Sequence, residues 1–296
     1  MEFESSGKGF LGIANPKLKD TQAIIIPFGL EHSVTYGKGT SKGPKRIIAA
    51  SHQLELYDEE LDYESYKAIG IRTLKSKKIP KETTKALAVL QKRVLDIVNI
   101  GKLPVVLGGE HTIAISSVKA LKQKYDNFTL IHFDAHADLR DSYQNERFSH
   151  ACTIRRCLEN KNVNVVSLGI RSLSIEEKNF YDKNRKRIKI FWAKDKDRWK
   201  GIEKDIKGKN VYLTFDLDVF DSSLMPSTGT PEPGGIFWDQ AVKLLRIIAS
   251  NSNVVGVDIN ELAPIKSMHS CDFLTAKLCY KIISYIFHYK KDNKTR

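Results

Sequence analysis

The 296-residue sequence predicts an α/β fold, with a mainly parallel central sheet covered by helices on both faces. Three observations carry this. Seven short, mainly apolar runs recur, the pattern of strands buried on both sides. Longer helical patterns separate most of them. Acidic motifs follow directly on some of these runs, where open parallel sheets gather their ligands.

The first run is 23–28, Ala-Ile-Ile-Ile-Pro-Phe. The Gly- and Lys-rich stretch Tyr36-Gly-Lys-Gly-Thr-Ser-Lys-Gly-Pro44 lacks the phosphate-loop spacing GxxxxGK[ST], and Pro44 argues for a turn. A helical pattern over 82–100 leads into the strand 103–107, which ends on Gly108-Gly-Glu-His111. A helix over 114–124 precedes the strand 128–133 and Asp134-Ala-His136-Ala-Asp138. Strand 163–168, helix 175–183 and strand 188–192 follow. Strand 211–215 ends on Asp216-Leu-Asp218, and helix 238–248 and strand 254–257 continue the alternation. Lys277, Lys281 and His288 interrupt the apolar segment 273–289, so it reads as an amphipathic helix laid on the core, followed by a frayed tail.

At 41% hydrophobic and 28% charged residues, the chain has the composition of a soluble globular protein with a large core. No linker, low-complexity tract or repeat divides it, so one domain over 1–296 is expected, with 1–20 and 290–296 peripheral. The start lacks a signal-peptide pattern, and no apolar run is long enough for a membrane span. Four cysteines without CxxC spacing or a disulfide framework fit a reducing cytoplasm. The net charge of +13 comes from scattered lysines with no nucleic-acid-binding signature, so neither nucleic acid nor membrane is expected as a partner.

Side chains on an extended segment alternate faces. Asp134, His136 and Asp138 therefore project one way from one strand end, and Asp216 and Asp218 from another. His111 joins them after a third strand. Four carboxylates confined together repel and lose hydration, and cations remove that cost. Carboxylate and imidazole donors without thiolates suit Mn²⁺, and less specifically Ni²⁺, Co²⁺, Fe²⁺ or Zn²⁺. Six candidate ligands exceed the need of one catalytic ion; bridging carboxylates would hold two about 3.5–4 Å apart. A water shared by two such ions loses a proton far more readily than bulk water. His132, inside a strand, reads as a hydrogen-bonded core histidine, Asp221 as support for its loop, and Cys152 as a small buried residue.

These motifs, with Ser149-His-Ala151, Phe215-Asp-Leu-Asp-Val-Phe-Asp221, Pro226-Ser-Thr-Gly-Thr-Pro-Glu-Pro-Gly-Gly235 and Glu261-Leu-Ala-Pro264, resemble the ureohydrolases of the arginase–agmatinase family, closest to the agmatinase branch. The resemblance covers about residues 25 to 264. It implies a three-layer α/β/α fold, a binuclear Mn²⁺ site, and hydrolysis of a small guanidino substrate to an amine and urea, agmatine to putrescine foremost. It assigns one ion to His111, Asp134, Asp138 and Asp216, and the other to Asp134, His136, Asp216 and Asp218. It further implies that Glu261 receives the guanidinium, that His150 transfers a proton, and that the chain forms a homo-oligomer, trimer or hexamer; on the chemistry of the residues alone, Asp138 or His150 could move that proton.

Three departures from the family pattern stand out: Thr112 for serine, Ser222 for proline, and Arg140 where arginases place an asparagine that reads the amino-acid end of arginine. The last counts against arginine as substrate. Arg140 is expected to pair with Asp141 or another acid and point away; if it faces the substrate, it favours the carboxylate of 4-guanidinobutyrate. Guanidine or arginine as substrate, amide hydrolysis or deacetylation on the same ligands, and a basic binding protein with a vestigial site remain the alternatives.

Overall fold

The computed structural model describes residues 1–292. Its eight strands form a single sheet in which every pairing is parallel. In chain order they are β1 (Ala23–Phe28), β2 (Ile71–Thr73), β3 (Leu103–Gly108), β4 (Phe128–Phe133), β5 (Val163–Ile170), β6 (Ile188–Trp192), β7 (Asn210–Asp216) and β8 (Asn253–Asn260). Across the sheet the order is β2-β1-β3-β8-β7-β4-β5-β6. The α-helices are α1 (Gly43–Ser51), α2 (Ser65–Ile69), α3 (Thr83–Asn99), α4 (Ala114–Leu121), α5 (Thr153–Cys157), α6 (Ile175–Lys183), α7 (Ile202–Ile206), α8 (Trp238–Asn251) and α9 (His269–Asp292).

The helices make two outer layers. On one face Ile47 of α1, Leu244 and Ile248 of α8, and Cys279 and Ile283 of α9 join a core with Ile25, Val105, Leu213 and Ile259. On the other, Leu90 and Val94 of α3 and Val118 and Leu121 of α4 pack with Ile24, Val106 and Leu130. Adjacent residues such as Ile24 and Ile25 serve opposite layers because strand side chains alternate. Each fully buried side chain of this kind contributes about 1.5–3 kcal/mol. The result is the expected three-layer α/β/α sandwich.

The differences from the sequence expectation are local. The edge strand β2 has three residues, too few to show a period. Pro44 opens α1 instead of making a turn: its missing N–H falls in the first helical turn, where no intrahelical partner is needed. Helix α9 starts at His269 and continues through Asp292, so part of the expected frayed tail is helical. Residues 293–296 of that tail lie outside the described residues. The 1–20 segment, expected at the periphery, sends Phe10 and Leu11 into the core.

β3 and β4 are consecutive in the chain but separated in the sheet by β8 and β7. The loops leaving these four neighbouring strands therefore converge at their carboxyl ends, where such sheets open a crevice. Gly109 lets one of them fold tightly. A Cβ there would sit 1.9 Å from the Leu30 carbonyl oxygen, and the neighbouring Glu110 N–H donates to that same oxygen at 2.7 Å.

Candidate active site

His111 opens the short 3-10 turn after β3. Its buried Nδ1 lies 3.1 Å from Asp134 Oδ2, 2.9 Å from Asp138 Oδ2 and 3.6 Å from Asp216 Oδ2, yet is hydrogen-bonded to none of them. His136 Nδ1 is 2.9 Å from Asp218 Oδ2 and 3.5 Å from Asp134 Oδ1. Donor atoms close enough to share an ion form two groups: His111, His132, Asp134 and Asp138, and Asp134, His136 and Asp218. Asp134 belongs to both. Asp216 borders the first group through Oδ2, while its Oδ1 accepts the Asp218 N–H at 2.9 Å. His132 is the core histidine the sequence suggested, with both nitrogens engaged: Nε2 is 2.7 Å from Asp134 Oδ2 and Nδ1 is 3.0 Å from Ser167 Oγ. It steadies Asp134 and has no nitrogen left for a metal.

The electrostatics show what this space lacks. Burial and the neighbouring Asp134 push Asp138 up to about 7. Burial, Asp218 and Asp134 raise Asp216 well above the carboxylate range. Against burial, Asp218 and Asp134 push His136 up to about 12. Burial also opposes ionisation of Asp134, but His132, His111 and His136 hold it well below the usual range. Protons are thus retained where positive charge is needed. Divalent cations supply the same charge to the same atoms, and the unpartnered Nδ1 of His111 faces that point; the donor set fits a binuclear metal site.

Asp138 and Glu261 both adopt left-handed backbone conformations, with φ of 52° and 65°. Such strain costs roughly 1–3 kcal/mol per residue and gathers at functional sites. Glu261 follows β8; its Oε1 accepts the His111 N–H at 2.6 Å, and its own N–H donates to the Gly109 carbonyl at 2.8 Å. Burial, reinforced by Glu110, raises its pKa well above the ordinary value. A guanidinium beside it would stabilise the charged form. Glu261, Asp138, Asp216, Asp218 and His150 line one narrow cavity. Burial lowers the pKa of His150, which keeps the imidazole neutral more readily. Arg140 is absent from that cavity and lines a broader outer one of about 250 Å³, which shares His136, Asp138 and His150 with the inner. Its partner is Glu177, 3.7 Å from Nε, rather than Asp141, which binds Arg156 at 2.6 Å.

Several supporting residues were not singled out from the sequence. His111 Nε2 is 2.9 Å from Thr214 Oγ1, which donates to buried Asp258 at 2.6 Å; Asn260 and Tyr212 also donate to Asp258. A signal existed: Asp258 and Asn260 alternate at the end of an apolar run, as in the other strand-end motifs. Arg171 donates to six carbonyls, those of Gly169, Asp218, Val219, Phe220, Glu232 and Pro233, and so clamps the loop after β7. Asp221, which the sequence did suggest as support for its loop, fastens the same loop, accepting from Ser223, Gly234 and Gly235. Those bonds, the Ser223 hydroxyl first, lower its pKa to about 2. Cys152 is buried, and burial raises its thiol to about 11, so it is protonated at neutral pH.

Comparison with known proteins agrees with this architecture. Residues 21–286 match the arginase family model. An N(1)-aminopropylagmatine ureohydrolase of Synechocystis sp. is 35% identical, covering 96% of this chain and 95% of the relative. The agmatinase of Bacillus subtilis is 34% identical over 90% and 92%. The crystal structure of an agmatine ureohydrolase of Thermoplasma volcanium superposes with a TM-score of 0.80 at 27% identity, covering 93% of this chain and 92% of that one. With the strand-end carboxylates and imidazoles already in place, these matches show that the chain belongs to the arginase family and is a metal-binding ureohydrolase that hydrolyses a guanidino group to an amine and urea.

Proposed function

We propose that this enzyme cleaves agmatine to putrescine and urea with two Mn²⁺ ions. The observation that carries the reading is a buried carboxylate, Glu261, opening onto the same narrow cavity as members of two groups of side chains able to hold a metal, the groups sharing Asp134. His111, Asp134, Asp138 and Asp216 would hold one ion, and Asp134, His136, Asp216 and Asp218 the other. When bound, the ions supply a water acidic enough to attack at neutral pH.

The remaining steps fall to side chains. Glu261 offers two oxygens to the planar guanidinium and orients its carbon. The departing nitrogen needs a proton, and His150 and Asp138 both line the cavity where it leaves. The alkylamine tail runs into the outer cavity. There Glu177 offsets the charge of Arg140, so a distal ammonium is tolerated. The outer cavity also favours a second reading, the longer N(1)-aminopropylagmatine, on which the Synechocystis relative is named. We further read the chain as one catalytic domain, cytoplasmic, acting as a trimer or hexamer without nucleic-acid or membrane partners. No helix among the described residues is long and apolar enough to cross a membrane.

The test is urea release by the Mn²⁺-loaded protein from agmatine, N(1)-aminopropylagmatine, arginine, 4-guanidinobutyrate and guanidine, with a metal-stripped control. Agmatine is expected to turn over fastest. Preference for 4-guanidinobutyrate would move Arg140 onto a substrate carboxylate, and acetate release from acetylated amines without urea would overturn the substrate class.

A further inference from the structure

Glu110 is fully buried beside the site and holds no place in the ligand set. Its Oε2 accepts the N–H groups of His32 and Ser33, both at 2.7 Å. Its Oε1 accepts the hydroxyls of Thr112 at 2.9 Å and Ser33 at 3.1 Å. Four donors on two oxygens is the pattern of a carboxylate acting only as acceptor. The single proton of the Ser33 hydroxyl is therefore spent on Glu110, in the stronger, charge-assisted bond. Ser33 Oγ also accepts the His150 backbone N–H at 3.0 Å and lies 3.2 Å from His150 Nδ1. With its proton committed, Ser33 Oγ can only accept from that ring nitrogen. Ser149 Oγ, 3.4 Å from the same nitrogen, can accept from it as well.

We propose that Ser33 is a positioning residue that passes the fixed charge of Glu110 to His150, holding the imidazole in its Nδ1–H tautomer with the Nε2 lone pair left for the reacting group. The inference rests on His150 as the proton carrier of the hydrolysis proposed above. In that reaction the water oxygen bonds to the guanidino carbon and the bond from that carbon to the alkyl-bearing nitrogen breaks. The bonding pair leaves on the departing nitrogen, which also gains both water protons. Nε2 accepts one of these and delivers it; an imidazole protonated at Nε2 instead would present no base to the water. Ser33 lies on the loop between β1 and α1, far in sequence from His150, and Glu110, the carboxylate behind it, directly precedes His111.

Two measurements on the full-length protein test this. Long-range ¹H–¹⁵N correlation of the histidine rings, recorded metal-free and with diamagnetic Zn²⁺ at a pH about two units above the ordinary imidazole value of about 6.5, reads the tautomer. The His150 signals are assigned by their loss in His150→Gln. The wild-type protein is expected to show Nδ1–H, Ser33→Ala to move toward Nε2–H, and Ser33→Thr to restore the wild-type form. In the Mn²⁺-loaded enzyme Ser33→Ala should lower kcat on the order of 10²-fold with KM and metal content unchanged, and Ser33→Thr should recover most of the loss. An Nε2–H tautomer in the wild type, or Ser33→Ala without effect on tautomer and kcat, overturns the proposal. If the loaded wild type releases no urea from any guanidino compound, the proposed function fails, and the tautomer still decides the role of Ser33.

Discussion

Arg171 shows how a site can depend on a residue that faces away from its chemistry. Its guanidinium holds six carbonyls, three of them at Asp218, Val219 and Phe220, and so fixes where the Asp218 carboxylate points. A hydrogen bond to a charged group contributes a net of about 1.5–3 kcal/mol, but the six share one guanidinium and a relaxed loop would recover part through water. Arg171→Ala should therefore destabilise by roughly 2–3 kcal/mol in a denaturant titration and lower metal content. Arg171→Lys should behave almost as badly, because one ammonium cannot reproduce a planar fork. Thr214 acts on the opposite side, fixing the His111 tautomer by accepting from Nε2 and donating to Asp258. Thr214→Val keeps the shape and removes both bonds. It should weaken metal binding about 10–100-fold, the usual effect of losing a partner behind a ligating histidine; calorimetric titration with Mn²⁺ would expose an unchanged affinity and with it a merely spatial role for Thr214.

At the level of elements, the strands that carry the site were legible because each is buried on both faces and reads as a predominantly apolar run, polar only at positions such as Thr129, His132 and Thr214. β2 was not: as a three-residue edge strand, it is defined by its pairing with β1. Helix α1 was hidden by Pro44, whose preference for turns and for first helical turns looks the same until the following residues are placed. What the strands could not reveal is how tightly their exits fold. The Gly108-Gly109 pair is a motif in the sequence, but its cause is steric and non-local: the loop after β3 lies against the backbone of Leu30, leaving no room for a Cβ at 109. Gly109→Ala must displace either Leu30 or the turn carrying Glu110 and His111. A cost of about 2–3 kcal/mol is expected from such overpacking, with a lowered denaturation midpoint and reduced Mn²⁺ retention together. Loss of stability with full metal content would show that the turn yields without disturbing His111.

For the whole molecule, the sequence allowed the ligand types and strand ends to be named, since acidic and histidine residues after buried runs have few other reasons to gather. It did not reveal their charge state, which depends on the burial that the assembled layers impose. Asp138 rises to about 7, and Asp216 and Glu261 are raised as well. A carboxyl raised in the folded state keeps a proton that the unfolded chain has released. Its stabilising contribution is complete below the ordinary value of about 4 and is lost as pH climbs through the folded value. The metal-free protein should therefore lose the contribution of Asp138 between about pH 4 and 7, with Asp216 and Glu261 acting in the same direction. Ions that displace the protons restore the balance, and they compete best where few protons remain to be displaced. The gain in Tm on adding Mn²⁺ should accordingly be small near pH 5 and grow toward pH 8. An ion present at about 100 times its Kd contributes about 2.7 kcal/mol, roughly 5 °C for a chain of this size. Differential scanning calorimetry with and without Mn²⁺ at each pH makes the comparison. A gain independent of pH would mean that the ions bind without displacing protons from Asp138 and the other proton-holding side chains of this cluster.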